Sequence, residues 1–139
     1  MKIVLDTNVL VSSLLKTQSS SGKVLDLIIS GHLELLIDDR ILSEYREVLR
    51  RPKFLFDELL VDDVLATIDR FSTFVASENY SIHLPDRDDL PFLEVALSGK
   101  ANALITGNKK DFGKPLQHLK IVSPSEFLKI FESQATILQ

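Results

Sequence analysis

The chain contains no cysteine. That excludes a disulfide framework, a thiolate zinc centre and a cysteine nucleophile, and it is compatible with a reducing compartment. It also lacks any stretch approaching the ~20 apolar residues a membrane helix needs. Met1-Lys2-Ile3-Val4-Leu5 opens like an export signal, but Asp6 and Asn8 interrupt it before an apolar stretch of ~7–15 residues can form. A basic excess is missing as well. The 16 lysines and arginines face 20 acids for a net charge of −4, so the easiest electrostatic sign of a nucleic-acid binder is absent. These absences leave the expectation of a soluble, cytoplasmic protein with no membrane association.

What is present is ordinary for a globular domain: 139 residues, 45% apolar and 26% charged. A chain of this length buries roughly 68% of its unfolded surface and needs no staples. Short apolar runs alternate with helix-period segments, the pattern of an α/β domain. Strands are expected at Ile3–Leu5, Leu33–Ile37, Ala103–Ile105 and Ile121–Val122, with a weaker one at Tyr80–Leu84. Helices are expected after Ser19-Ser20-Ser21 up to Gly31, from about Arg40 to Arg51, from Val61 to Phe74 and from Leu90 to Ser98. A last one follows the cap-like Ser123-Pro124-Ser125-Glu126. With no linker, repeat or low-complexity segment, residues 1–139 read as one domain. Its architecture is expected to be a parallel sheet covered by helices on both faces.

In such sheets ligands bind beyond the carboxyl ends of the strands. Asp6 follows the first strand directly, and Thr106-Gly107-Asn108, with Asp111 close behind, follows Ala103–Ile105. Glu44 lies at the margin of the apolar face formed by Ile41, Leu42, Tyr45, Val48 and Leu49, whereas Glu47 points to solvent. It is either a functional carboxylate facing a crevice or an ordinary flank residue paired with Arg40 or Lys53. Asp89, four residues before Leu93, is either functional or a helix cap. Asp88 reads as the purer cap and Asp86 as a solvated turn residue. Four acids from separate segments at one sheet edge would repel one another by several kcal/mol at ~4 Å, unless a cation neutralised them. Carboxylate oxygens without cysteine, and without a histidine in these segments, suit Mg²⁺ or Mn²⁺. Setting Asp6, Glu44, Asp89 and Asp111 aside leaves acids and bases balanced at 16 each, so the acidic excess is no obstacle to a polyanionic ligand.

Four motifs in register, Asp6-Thr7-Asn8-Val9-Leu10, Ser43-Glu44, Asp86 through Glu94 and Thr106 through Phe112, resemble the PIN domain. The nearest likeness is to the branch regarded as toxins of type II toxin–antitoxin systems. The resemblance covers almost the whole chain. It implies a parallel sheet sandwiched between helices (α/β/α) and Mg²⁺- or Mn²⁺-dependent cleavage of RNA. Asp6, Glu44 and Asp89 then fall on the family's first three catalytic, metal-binding acids. The fourth position falls on Asp111 or on Asn108, which cannot supply charge. Asn8 and Thr106 are expected to hold Asp6 and metal-bound water.

The resemblance further implies an RNA substrate, a small antitoxin partner and a homodimer. Arg40, Arg46, Arg50, Arg51 and Lys53, with Lys109, Lys110 and Lys114, form a possible RNA-backbone surface, the alternative being a solvated face. The competing functional reading is a catalytically impaired scaffold, with Asn108 marking the loss, that binds RNA or regulates. A phosphatase of the Asp-x-Asp type is disfavoured because Asn8 stands where its second acid would be.

Overall fold

The computed structural model describes residues 1–113 and 119–138. Five parallel strands, β1 (Lys2–Leu5), β2 (Glu34–Ile37), β3 (Thr73–Phe74), β4 (Ala103–Ile105) and β5 (Lys120–Val122), form one sheet in the order β3-β2-β1-β4-β5. Six helices connect and flank them: α1 (Thr7–Leu15), α2 (Ser20–Ile29), α3 (Asp39–Leu49), α4 (Glu58–Phe71), α5 (Leu90–Ser98) and α6 (Pro124–Leu138). The strands are short, apolar and almost fully buried, as a sheet covered on both faces requires. None of the helices among the described residues is long and apolar enough to cross a membrane.

Local sequence sets most boundaries. Ser19 caps α2 by accepting from the Gly22 amide at 3.2 Å, and Gly31, at φ +82°, takes the left-handed turn behind it. Asp38 caps α3 through the Ile41 amide at 3.0 Å. Ser123 and Glu126 exchange the reciprocal bonds of a capping box, at 3.0 and 3.2 Å, to start α6.

Three expectations need correction. Residues 7–15 form a helix that the sequence pattern conceals, because Thr7, Val9, Leu10, Val11 and Ser13 are all buried and leave little amphipathic period. The helix expected at Val61–Phe74 begins at Glu58, where Asp57 accepts from the Leu59 amide, and stops at Phe71. Thr73 and Phe74 then pair with Leu36 and Ile37 as the edge strand. Tyr80–Leu84 is irregular; the Tyr80 amide donates to the Glu94 carboxylate at 2.9 Å and belongs to no ladder.

Candidate active site

From β1 the chain moves one way to β2 and β3, and β4 and β5 extend the sheet the other way. The reversal point therefore lies between the neighbouring strands β1 and β4, where a crevice opens at the carboxyl edge. Leu5 is in register with Ile105, so the next residues, Asp6 and Thr106, stand side by side at that point. Thr106 is fully buried and donates its hydroxyl to Asp6 Oδ2 at 2.7 Å, and Asp6 itself is only 6% exposed. The Asn108 amide donates to Thr106 Oγ1 at 3.1 Å, tying the start of the following loop to the same hydroxyl.

Glu44 is half-buried and is paired with neither Arg40 nor Lys53. Its Oε2 accepts a short hydrogen bond from the buried Thr7 hydroxyl. The α1 start thus holds the α3 carboxylate next to Asp6. Tyr45, one residue on, is wholly buried; it donates its hydroxyl to the Leu5 carbonyl at 2.5 Å and packs its ring against Phe92 at 6.4 Å between centroids. It therefore touches the strand end before Asp6 and the helix that follows Asp89. Asp89 stands at the N-terminus of α5, yet its carboxylate makes no capping bond, which removes the capping explanation. Asp86, not Asp88, is the local cap, accepting from the Asp88 amide at 2.9 Å in the single turn Arg87–Asp89. Asp111 lies half-buried in the single turn Lys109–Phe112.

Electrostatics join these four acids. Burial raises the Asp89 carboxyl to about 7, and the charges of Asp6, Asp111, Asp86 and Glu44 add to the shift. Asp6 is raised chiefly by burial, with the Thr106 hydrogen bond opposing and the Asp111 charge assisting. Glu44 is raised chiefly by burial, against its Thr7 bond, with Asp6 and Asp88 assisting. The donor set suits a hard cation, being carboxylate oxygen without sulfur or imidazole. Among the described residues, however, no three of these groups already converge as a ligand cage. The site is an acidic crevice at one sheet edge, not a closed chelate.

The remaining sequence candidates divide by partner. Asn8 is exposed and makes no hydrogen bond to Asp6 among the described residues. Arg40 is committed inward: it pairs with Glu94 Oε1 at 2.7 Å and Asp38 Oδ2 at 2.8 Å, and donates to Ser77 Oγ at 3.1 Å. Arg50 pairs with Asp62 at 2.7 Å and Arg51 with Glu47 at 3.2 Å, and Lys53 lies over the Phe54 ring. Lys109 pairs with Glu126 at 2.9 Å, while Arg46 and Lys110 are exposed without an ion pair among the described residues. Lys114 lies outside the described residues.

Sequence reading missed Thr7, Tyr45 and Glu94 as organisers. Thr7 was inside a motif already singled out. Glu94 carried a faint signal, an acid within the apolar run Phe92–Ala96, but its partner Arg40 is 54 positions away.

A PIN domain family model matches residues 2–110. The chain belongs to the PIN domain family. It is 33% identical over 144 aligned positions to an uncharacterized protein of Methanocaldococcus jannaschii, covering 94% of this chain and 92% of that one. The structure is similar to the crystal structure of VapBC2 from Rickettsia felis bound to a DNA fragment from their promoter. That match has a TM-score of 0.58 at 18% identity, over 87% of this chain and 98% of the other. At that identity the likeness concerns the fold. This PIN domain thus has the family's α/β/α architecture, with its acids at the carboxyl edge of the sheet.

Proposed function

We propose that this PIN domain is a Mg²⁺- or Mn²⁺-dependent endoribonuclease and the toxin of a toxin–antitoxin pair. The observation that carries the nuclease reading is the electrostatic coupling of Asp6, Glu44, Asp89 and Asp111 at the β1/β4 crevice. Burial first, and then the neighbouring carboxylates, raise the proton affinity of Asp89, Asp6 and Glu44, with the Asp111 charge acting on Asp89 and Asp6, although none of the four makes a cap bond or an ion pair among the described residues. Asp6, Glu44 and Asp89 would hold the ion, with Asp111 completing the ring. The bound ion would supply an acidified water and neutralise charge on the leaving oxygen of a phosphodiester.

The chain's own contribution is positioning. Thr106 fixes the Asp6 carboxylate, Thr7 fixes Glu44, and Tyr45 braces the Leu5 carbonyl and the α5 ring Phe92. Asp89 or Asp111 would orient the attacking water or take its proton. Arg46 and Lys110, exposed and without an ion pair among the described residues, would contact the RNA backbone. Arg40 is the weaker candidate, because Asp38 and Glu94 already neutralise it. We assign Asn108 the role of orienting water, its side chain making no cap bond.

The antitoxin and homodimer readings draw on the two-component name of the similar structure and on exposed apolar side chains. Leu55, Leu59 and Phe71 are 89%, 72% and 61% exposed. Calorimetric titration with Mn²⁺ tests the ion-binding reading. Wild-type protein should bind, Asp6→Asn should lose at least tenfold in affinity, and Asp111→Asn should weaken binding more than Asn108→Ala. Equal affinity in all four proteins would overturn the assignment.

A further inference from the structure

Glu94 is a carboxylate inside the apolar run Phe92–Ala96, and it is only 3% exposed. A charge placed so deeply is costly unless it is paired. Both of its oxygens are engaged. Oε1 accepts from Arg40 Nη1 on α3 at 2.7 Å, and Oε2 accepts from the Tyr80 amide at 2.9 Å. Arg40 also donates to Asp38 Oδ2 at 2.8 Å and to Ser77 Oγ at 3.1 Å, and Ser77 donates to Asp38 Oδ2 at 3.0 Å. One guanidinium therefore joins the start of α3, the middle of α5 and the irregular segment that leads from β3 to Asp86–Asp89.

A buried ion pair adds little net stability over well-packed apolar side chains, and its best-attested use is to fix one register. The register here concerns two of the acids. Arg40 stands about one helical turn before Glu44 on α3, and Glu94 lies further along α5 from Asp89. Tyr45, next to Glu44, packs on Phe92 in the turn after Asp89, so both contacts align the same pair of helices. Arg40–Glu94 is the one side-chain hydrogen bond between α3 and α5 among the described residues. Asp89 makes no cap bond, so its place follows that of α5 and of the segment leading into it. That segment hangs on the same Glu94 carboxylate through Tyr80, with a second tie from the Glu78 amide to Ser98 Oγ at 2.8 Å.

We propose that Arg40 and Glu94 are positioning residues, whose ion pair sets Asp89 on α5 against Glu44 on α3 at the spacing a shared divalent cation requires. Small hard cations accept oxygen ligands only over a narrow range of distances, so drift of one helix past the other costs affinity. Arg40 then acts through the acids and not on an RNA phosphate. The alignment of the helices stands on its own geometry, while its use for an ion and for RNA cleavage rests on the ribonuclease reading.

The test uses the full chain. Arg40→Ala would strand Asp38 and Glu94, so the main variant combines Arg40→Met with Glu94→Gln, which removes both charges and leaves an acceptor for the Tyr80 amide. Arg40→Lys keeps the charge without the planar fork, and it carries the same readings if the double variant does not fold. Because the chain has no cysteine, Glu47→Cys and Arg87→Cys place two nitroxide labels, one on α3 and one beside Asp89. Their distance distribution in EDTA should be narrow in the otherwise wild-type chain and broadened or displaced in the double variant. Calorimetric Mn²⁺ affinity of the unlabelled proteins should fall about tenfold in the double variant and less in Arg40→Lys. Oligoribonucleotide affinity in EDTA should stay at the wild-type value, and in metal-supported cleavage kcat should fall with KM held. A folded variant that keeps the wild-type label distances would overturn the proposal, as would undiminished Mn²⁺ affinity where wild type binds the ion. A loss of oligoribonucleotide affinity in Arg40→Lys at unchanged distances would make Arg40 a phosphate contact, and would overturn it too. If wild type neither binds Mn²⁺ nor cuts RNA, the ribonuclease reading fails and the label distances alone decide the proposal.

Discussion

Asp89 has its carboxyl held near pH 7, against an ordinary value of 3.8, by burial and by Asp6, Asp111, Asp86 and Glu44. In the metal-free protein the folded state therefore binds this proton more tightly than the unfolded chain does. Stability is greatest below the ordinary value and falls as pH rises through about 7. Asp89→Asn removes the charge that the fold opposes. In EDTA at about pH 8 it should melt higher than wild type, with the gap closing as pH falls toward the ordinary carboxyl range. Saturating Mn²⁺ should reverse the order, since an ion bound to the folded wild type adds stability that the variant cannot gain. Melting curves at two pH values with and without Mn²⁺ check both signs. A variant less stable than wild type in EDTA at high pH would contradict the electrostatic picture. Asp6, Glu44 and Asp89 stand out as candidates in the sequence because they sit at a strand end, on the edge of a helix face and at a helix start, while the fourth position stays open between Asp111 and Asn108. The partners that aim them, such as Thr7 on Glu44 and Thr106 on Asp6, depend on contacts across 37 and 100 positions, which no local pattern encodes.

Helix α2 shows how an element can depend on one small side chain. A Cβ at Gly22 would lie 2.1 Å from the Thr17 carbonyl oxygen, because the Lys16–Ser19 turn closes directly over the helix start. Ala normally outranks Gly in a helix by about 1 kcal/mol. Here the sign should invert, and Gly22→Ala should destabilise the protein by more than about 1 kcal/mol through forced backbone movement. Denaturant unfolding measures this, and a stabilised variant would refute the close approach. Cap-driven elements were legible: Ser19, Asp38 and Ser123 all start the helices their positions announce. Two elements were not. Helix α1 is buried at too many positions to show a clean helical period, and β3 is two residues long and gains its identity only by pairing with β2. Tyr80–Leu84 has β-rich composition but its Tyr80 amide is taken by Glu94, so composition there yields to a tertiary hydrogen bond.

At the scale of the molecule, the order β3-β2-β1-β4-β5 sets Asp6 at the carboxyl edge of the sheet, where its charge, with those of Asp111 and Glu44, acts on Asp89. The general expectation of a helix-covered parallel sheet was available from alternating segments. The neighbour relation of β1 and β4, which sets Asp6 against Thr106, required the assembled sheet. The same assembly engages three of its six arginines, Arg40, Arg50 and Arg51, in ion pairs with Asp38, Glu94, Asp62 and Glu47. The most direct test of the central claim is cleavage of an end-labelled mixed RNA pool by wild-type and Asp6→Asn protein in Mn²⁺, Mg²⁺ or EDTA. The account predicts cutting by wild type with either metal, none in EDTA, and a loss of at least a hundredfold in Asp6→Asn. A folded wild-type protein that leaves the pool intact in both metals would contradict it.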